Sequence, residues 1–246
     1  MNLGDGMWGH VAVTGGMVAC CLGPTMVECQ GFRDTFAGID AGWHVANYDF
    51  SHPAFDTDWR PSQVDVDQGL LLKLSPQEGA GNRFVGASVR RNETTGFGRY
   101  EVVMRAARGP GVVTGFFTYT GPHYGTKHDE IDIEFLGKDT TKMHVAWFVD
   151  GELTNKFIDL GFDAADADRR FAFEWRPDRL AWFVEDRMIH EHHVSSGDIP
   201  DEPGRLFVNI WAAHPSIAEW AGTTTPGASG QARVREVRFE PFDLED

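Results

Sequence analysis

Beyond residue 29 the chain contains no cysteine. Cys20, Cys21 and Cys29 are its only thiols, so no disulfide can lie within the sequence that follows, and the fold has to stand on packing alone. Basic residues are also scarce: 22 Lys and Arg face 37 Asp and Glu, leaving a formal net charge of -15. That balance excludes nucleic acid as a partner, because phosphate binding draws on clustered Lys and Arg. No apolar run approaches the ~20 residues needed to span a bilayer, so stable membrane insertion is excluded as well. Helical periodicity is almost absent; only Asp163–Arg170 reads as helix-like. There is no repeat of fixed period, no low-complexity tract and no linker that would divide the chain.

What remains is a single all-β domain over residues 31–246. The hydrophobic fraction of 41% and charged fraction of 24% suit a soluble chain with a substantial core. Short alternating stretches recur between Gly, Pro, Asp and Asn clusters, as sandwich strands do. Gln63–Asp67 runs into Gly69–Leu74, Gly98–Ala106 follows, then Phe171–Trp175. Leu180–Val184 turns at Glu185 and Asp186 into Met188–His192, a hairpin. Residues 1–30 stand apart as an N-terminal segment. Its Gly-rich, apolar mixture resembles an export signal, and Met17–Cys20 a degenerate lipoprotein cleavage site; a loose tail or a mis-assigned start fits equally.

The segment His128-Asp-Glu-Ile-Asp-Ile-Glu-Phe135 carries the chemistry. Strand side chains alternate between faces, so Glu130, Asp132 and Glu134 share one face while Ile131, Ile133 and Phe135 share the other. Acidic alternations usually mark solvated sheet edges. Here the opposite face is wholly apolar, which marks a central strand, where neighbouring carboxylates at ~6 to 7 Å disfavour each other's ionisation and stability alone gives no reason to keep them. The spacing does not fit an EF-hand calcium loop. Glycoside hydrolysis does need two carboxylates flanking the scissile bond, ~5 to 5.5 Å apart when one is the nucleophile. Positions i and i+4 on a strand can lean together to that separation, and Asp132 between them can hold a further proton and hydrogen-bond its neighbour.

With Phe116-Phe-Thr-Tyr-Thr-Gly-Pro122 before it and Leu136-Gly-Lys-Asp-Thr-Thr-Lys142 after it, this strand resembles glycoside hydrolase family 16, in particular its bacterial lichenase and succinoglycan-depolymerase branch. The resemblance extends over residues 32–239 and includes Gly96–Val102, Leu160–Asp163, Asn209–Trp211 and Glu219-Trp220. It implies a jelly-roll β-sandwich of two antiparallel sheets with a concave substrate cleft, and a secreted or periplasmic endo-β-glycanase that retains anomeric configuration. By motif position Glu130 is the nucleophile, Asp132 the helper and Glu134 the acid/base. Arg90, Phe117, His128, Phe148, Asn209, Trp211 and Trp220 are the expected substrate-binding residues. No cofactor is expected, the partner is a polysaccharide, and the enzyme is expected to be a monomer.

Departures from the family pattern bear on specificity. The positions of the lichenase disulfide correspond to Thr57 and Gly86, an acidic sugar contact to Ser88, a Trp to His128, and Asn and Tyr of the next strand to Ala146 and Phe148. The Asp that ligates a structural calcium aligns near Arg235, which puts that ion in question. These changes predict chemistry kept and lichenase specificity altered, with a bacterial exopolysaccharide such as succinoglycan or β-1,3-1,4-glucan as substrate and β-1,3-glucan third. A transglycosylase on the same scaffold stays open, as does a non-catalytic sugar-binding sandwich, which the intact acidic triplet disfavours. His190, His192 and His193 lack partners at metal-ligand spacing and read as a polar hairpin face. Trp175 and Trp182 read as core, Trp211 and Trp220 as sugar platforms.

Overall fold

The computed structural model describes residues 30–79 and 81–242, and within these the chain is almost entirely β. The N-terminal segment with its three cysteines, and with it the export-signal reading, lies outside the described residues. Sixteen strands join one hydrogen-bonded sheet, twelve of them in a continuous path that doubles back on itself as two faces and four short ones pairing off that path. The concave face runs, in spatial order, through Glu152–Asp159, Lys142–Val149, Asp129–Leu136, Val112–Thr120, Gly204–Ala212 and Phe84–Thr95. The second face runs through Leu70–Pro76, Gly230–Pro241, Gly98–Arg105, Arg169–Trp175, Arg179–Val184 and Arg187–His193. The two meet where Ser75 and Pro76 pair with Val85 and Phe84. Every pairing is antiparallel except Thr57–Trp59 on Phe84–Gly86.

The expected jelly-roll sandwich is therefore present, and the apolar halves of the alternating strands fill the space between its faces. Ile131, Ile133 and Phe135 are fully buried, with Phe135 against Phe171 of the opposing face at 4.7 Å between ring centroids. Trp175 and Trp182 are core residues, as expected. Trp182 also crosses the sandwich with a polar bond, its indole N–H reaching the Asp132 carbonyl at 3.1 Å. The hairpin forms as read, turning at Glu185, whose φ of 51° is left-handed.

One element differs. Asp163–Arg170 is a turn followed by the start of a strand. Asp163 accepts from the backbone N–H of Ala165 at 2.9 Å and from the Thr140 hydroxyl, a local bond that competes with helix formation. Conversely a short helix, Ala218–Ala221, carries Trp220.

At the implied disulfide positions, a Cβ on Gly86 would lie 2.7 Å from Thr57 Cγ2 and 2.4 Å from the Ile210 carbonyl. The two positions are neighbours, and a hydrogen-bonded tie stands there: Thr57 Oγ1 donates to the Ala212 carbonyl at 3.1 Å and accepts the Ala212 N–H at 2.8 Å.

Trp182→Phe keeps most of the buried ring and removes the bond that ties the Asp132 carbonyl to the opposing face. It is expected to lower stability by ~1 kcal/mol, the net contribution of a typical intramolecular hydrogen bond. The shift should be read from the urea midpoint; an unchanged midpoint would show that this bond holds nothing.

Candidate active site

Antiparallel register sets the cleft floor, because residues directly opposite one another share a face. One row across the concave face reads Arg205, Tyr119, Glu130, Phe148, Leu153. The next reads Arg90, Phe207, Phe117, Asp132, Ala146, Asn155. The third reads Ser88, Asn209, Gly115, Glu134, His144, Phe157. The three acids thus occupy successive rows in the middle of the face. Gly115 keeps the third row open beside Glu134, since a Cβ there would meet Asn209 Oδ1 at 2.7 Å.

Each outer glutamate is held by an imidazole. Glu130 Oε2 lies 2.6 Å from His128 Nε2, and Glu134 Oε2 lies 3.0 Å from His144 Nδ1. Both glutamate side chains are 17% exposed, enough for a ligand to reach them. Asp132 between them is only 4% exposed. Burial pushes its carboxyl well above the usual carboxylate range, and the charges of Glu130 and Glu134 push it the same way. These influences favour the neutral form of Asp132, and a hydrogen bond between Asp132 and Glu130 raises Asp132 and lowers Glu130. Glu130 is raised too, chiefly by burial, with the His128 hydrogen bond pulling against it. A buried donor, a partly exposed carboxylate and a second carboxyl two rows along form a set fitted to covalent displacement with proton transfer.

The expected binding residues fall into three groups. His128 stacks on Phe148 at 4.5 Å and meets Tyr119 edge-on at 5.3 Å, so its ring braces Glu130 as well as facing the cleft. Phe117 stacks on Phe207 at 5.1 Å in the middle row, and Arg90 lies opposite Phe207. Asn209 is buried, and its Oδ1 has no partner among the described residues. Trp211 departs from its expected role as an open platform. It is 4% exposed, sandwiched between Phe55 at 4.0 Å and Trp220 at 6.0 Å, because the loop carrying Phe55 folds over it. Trp220 keeps the more open surface and turns its edge to His144.

Phe207, Tyr119, His144 and Phe157 also face the cleft and were not among the expected residues. The first two follow from extending the same alternation by one step from Asn209 and Phe117. His144 and Phe157 needed the register of two further strands. Conversely, Ser88 and Ala146 do lie in the cleft rows, so the departures from the family pattern fall where a ligand would be read.

This geometry has known counterparts. Residues 51–230 match the sequence family Glycosyl hydrolases family 16. The chain belongs to glycoside hydrolase family 16. It is 39% identical over 194 residues to a beta-glucanase of Bacillus subtilis, covering 78% of each chain. To a Bacillus amyloliquefaciens beta-glucanase it is 36% identical over 218 residues, covering 87% of this chain and 90% of that one. The fold superposes on a prokaryotic β-1,3-1,4-glucanase (lichenase) from a mouse hindgut metagenome with TM-score 0.82 and 33% identity, covering 86% and 99% of the two chains. The Bacillus licheniformis beta-glucanase gives 0.80 and 34%, over 86% and 98%. As a family 16 member the protein is a glycoside hydrolase, an endo-β-glycanase acting on polysaccharide.

Near the position that the resemblance implies for a calcium-ligating Asp, Arg235 donates from Nε to Asp168 at 2.7 Å and from Nη1 to the Gln68 carbonyl at 2.6 Å. Among the described residues no group of three or more His, Asp or Glu could hold a metal ion. His190 and His192 instead cover the core tryptophans, with His192 4.5 Å from Trp147 and His190 5.6 Å from Trp182.

The raised Asp132 carboxyl has a stability consequence. The folded chain binds this proton more tightly than the unfolded chain, so stability falls as pH rises from the ordinary carboxylate range toward the raised value. Asp132→Asn, which keeps a donor toward Glu130 without the charge, should therefore raise the melting temperature at pH 7, at about 2–4 °C per kcal/mol for a chain of this size. Near pH 4 the gain should vanish. A melting temperature lowered at pH 7 and unchanged at pH 4 would reverse this sign.

Proposed function

We propose that this enzyme hydrolyses internal bonds of β-1,3-1,4-glucan with retention of configuration, with Glu130 as nucleophile and Glu134 as acid/base. The observation that carries the reading is the division of labour in the acidic triplet. Glu130 is flanked by a neutral Asp132 and by its His128 contact, which concentrate its charge on one side of the scissile bond. Glu134 stands two rows away with its own partner. Two carboxyls leaning from one strand face suit the ~5 to 5.5 Å of a retaining pair, which leaves no room for a water between sugar and second carboxylate. Glu130 then attacks the anomeric carbon while Glu134 gives its proton to the departing oxygen. In the second step the ionised Glu134 takes a proton from water as that water displaces Glu130.

The substrate choice rests on the beta-glucanase relatives and the lichenase structure, weighed against Ser88, Ala146 and Phe148, which remove polar contacts from the cleft. Loss of a hydrogen-bonding contact weakens selection more than it abolishes chemistry. An open aromatic floor of Phe117, Phe207 and Tyr119 suits an extended, uncharged β-glucan. We further propose that the enzyme works outside the cytoplasm, where such polymers lie, as a monomer, and that it needs no calcium, Arg235 supplying the cation. A chelator should leave its melting temperature unchanged; a fall of several degrees would restore the ion.

Glu130→Ala should fold and lose hydrolysis by ~10⁴-fold or more, as expected when a nucleophile is removed. With azide and an aryl β-glycoside bearing a good leaving group, Glu130→Ala should give the α-glycosyl azide and Glu134→Ala the β-azide, read by proton NMR. The opposite pattern would exchange the two roles. Reducing-end release from β-1,3-1,4-glucan, set beside β-1,3-glucan and succinoglycan, tests the substrate; preference for the exopolysaccharide would overturn that part.

A further inference from the structure

We infer that His144 is a positioning residue for Glu134, fixing which of its two oxygens carries the catalytic proton. The inference rests on the acid/base reading of Glu134. His144 lies on the neighbouring strand directly opposite Glu134, is 4% exposed, and makes one polar contact, Nδ1 to Glu134 Oε2 at 3.0 Å. Its ring is clamped by Phe157 at 4.6 Å and by the edge of Trp220 at 5.5 Å.

Its other nitrogen decides the tautomer. Nε2 is buried and has no partner among the described residues. A neutral imidazole carries one N–H, and burying that N–H on Nε2 would leave a donor unsatisfied beside two aromatic rings, the costlier arrangement. The proton therefore sits on Nδ1, and Nδ1–H donates to Glu134 Oε2. A carboxylic acid has one carbonyl oxygen and one hydroxyl oxygen. With Oε2 held as acceptor, the hydroxyl must be on Oε1, free to face the leaving group. After that proton has gone, the same N–H still donates to Oε2, now part of a carboxylate, so the group is held in one orientation for both steps with no change of tautomer.

Among the described residues no other side chain is hydrogen-bonded to Glu134. Glu130 and Asp132 share the strand with Glu134, and Gly115 faces it from the other side. On the His144 side the next pair along the same face is Lys142 with Asp159, and Lys142 is engaged with Asp139 at 3.5 Å. From the short helix, Trp220 packs on His144 while Glu219 is exposed. His128 serves Glu130 alone.

The test separates orientation from packing. His144→Phe fills the volume without a donor, His144→Ala removes both, and His144→Gln restores an N–H. On β-1,3-1,4-glucan, whose leaving group needs a proton, kcat in the Phe and Ala variants should fall about 10- to 100-fold, part of the 10²–10⁴ that general acid catalysis supplies, with KM little changed. His144→Gln should recover most of the loss. On a 2,4-dinitrophenyl β-glycoside, whose leaving group departs unprotonated, the first step should persist as a burst of phenolate followed by slow release. Equal losses on both substrates, or a His144→Gln variant no better than His144→Phe, would assign His144 to packing and overturn the inference. If His144→Ala does not fold, the Phe and Gln pair decides alone. Glu134→Ala is the control. If it keeps glucan activity, the acid/base reading fails; if it loses that activity while every His144 variant stays at wild-type level, only the role of His144 fails.

Discussion

The strand Asp129–Leu136 has to meet two environments at once, and the rest of the molecule is arranged around that demand. One of its faces is sealed in the core by Ile131, Ile133 and Phe135, which fixes register, because a slip of one residue would exchange the faces. The other face carries three carboxyls with little access to water, which is tolerable only if their charges are relieved. Relief comes from the raised Asp132 carboxyl, which favours its neutral form, and from one imidazole for each glutamate. The indole of Trp182 reaches through the core to the Asp132 carbonyl, so the opposing face of the sandwich helps set the height of the acids. Stability at the middle of the sheet is thereby exchanged for reactivity, as carboxyls kept partly out of water usually require.

The concave surface around this strand is graded rather than uniform. At the Glu130 end, Tyr119, His128 and Phe148 make a half-open aromatic group with polar edges. At the Glu134 end, Phe55, Trp211 and Trp220 close over one another, giving a denser wall. A sugar chain lying across the face would meet stacking surface on both sides of the reacting bond, while hydrogen-bonding groups are thinned by Ser88 and Ala146. Elsewhere, fixed hydrogen bonds stand where the family pattern implies covalent or ionic ties: Thr57 with the Ala212 backbone, and Arg235 with Gln68 and Asp168.

Much of this was legible in the sequence, because strand alternation is a local property. The acid face, the apolar face and the core positions of Trp175 and Trp182 follow from counting residues by two. His128, two residues before Glu130, shares its face by the same count. The role of His144 does not follow so, since nothing local says that an imidazole ten residues past Glu134 will lie opposite it; that follows from the hairpin register. Trp211 read as a platform because its strand face was right, but the cover supplied by Phe55 comes from a distant loop. The helix expected at Asp163–Arg170 failed for a local reason, as the Asp163 carboxylate satisfies backbone and hydroxyl donors that a helix would have used otherwise.

The central claim is that Glu130 bonds to the sugar. A 2-deoxy-2-fluoro β-glycoside with a good leaving group slows breakdown of the intermediate more than its formation, so the adduct should accumulate and survive proteolysis. Mass spectrometry of the peptide spanning residues 128–138 should then show one added fluoroglycosyl unit on Glu130. An adduct on Glu134, or time-dependent turnover with no adduct on either glutamate, would contradict the account.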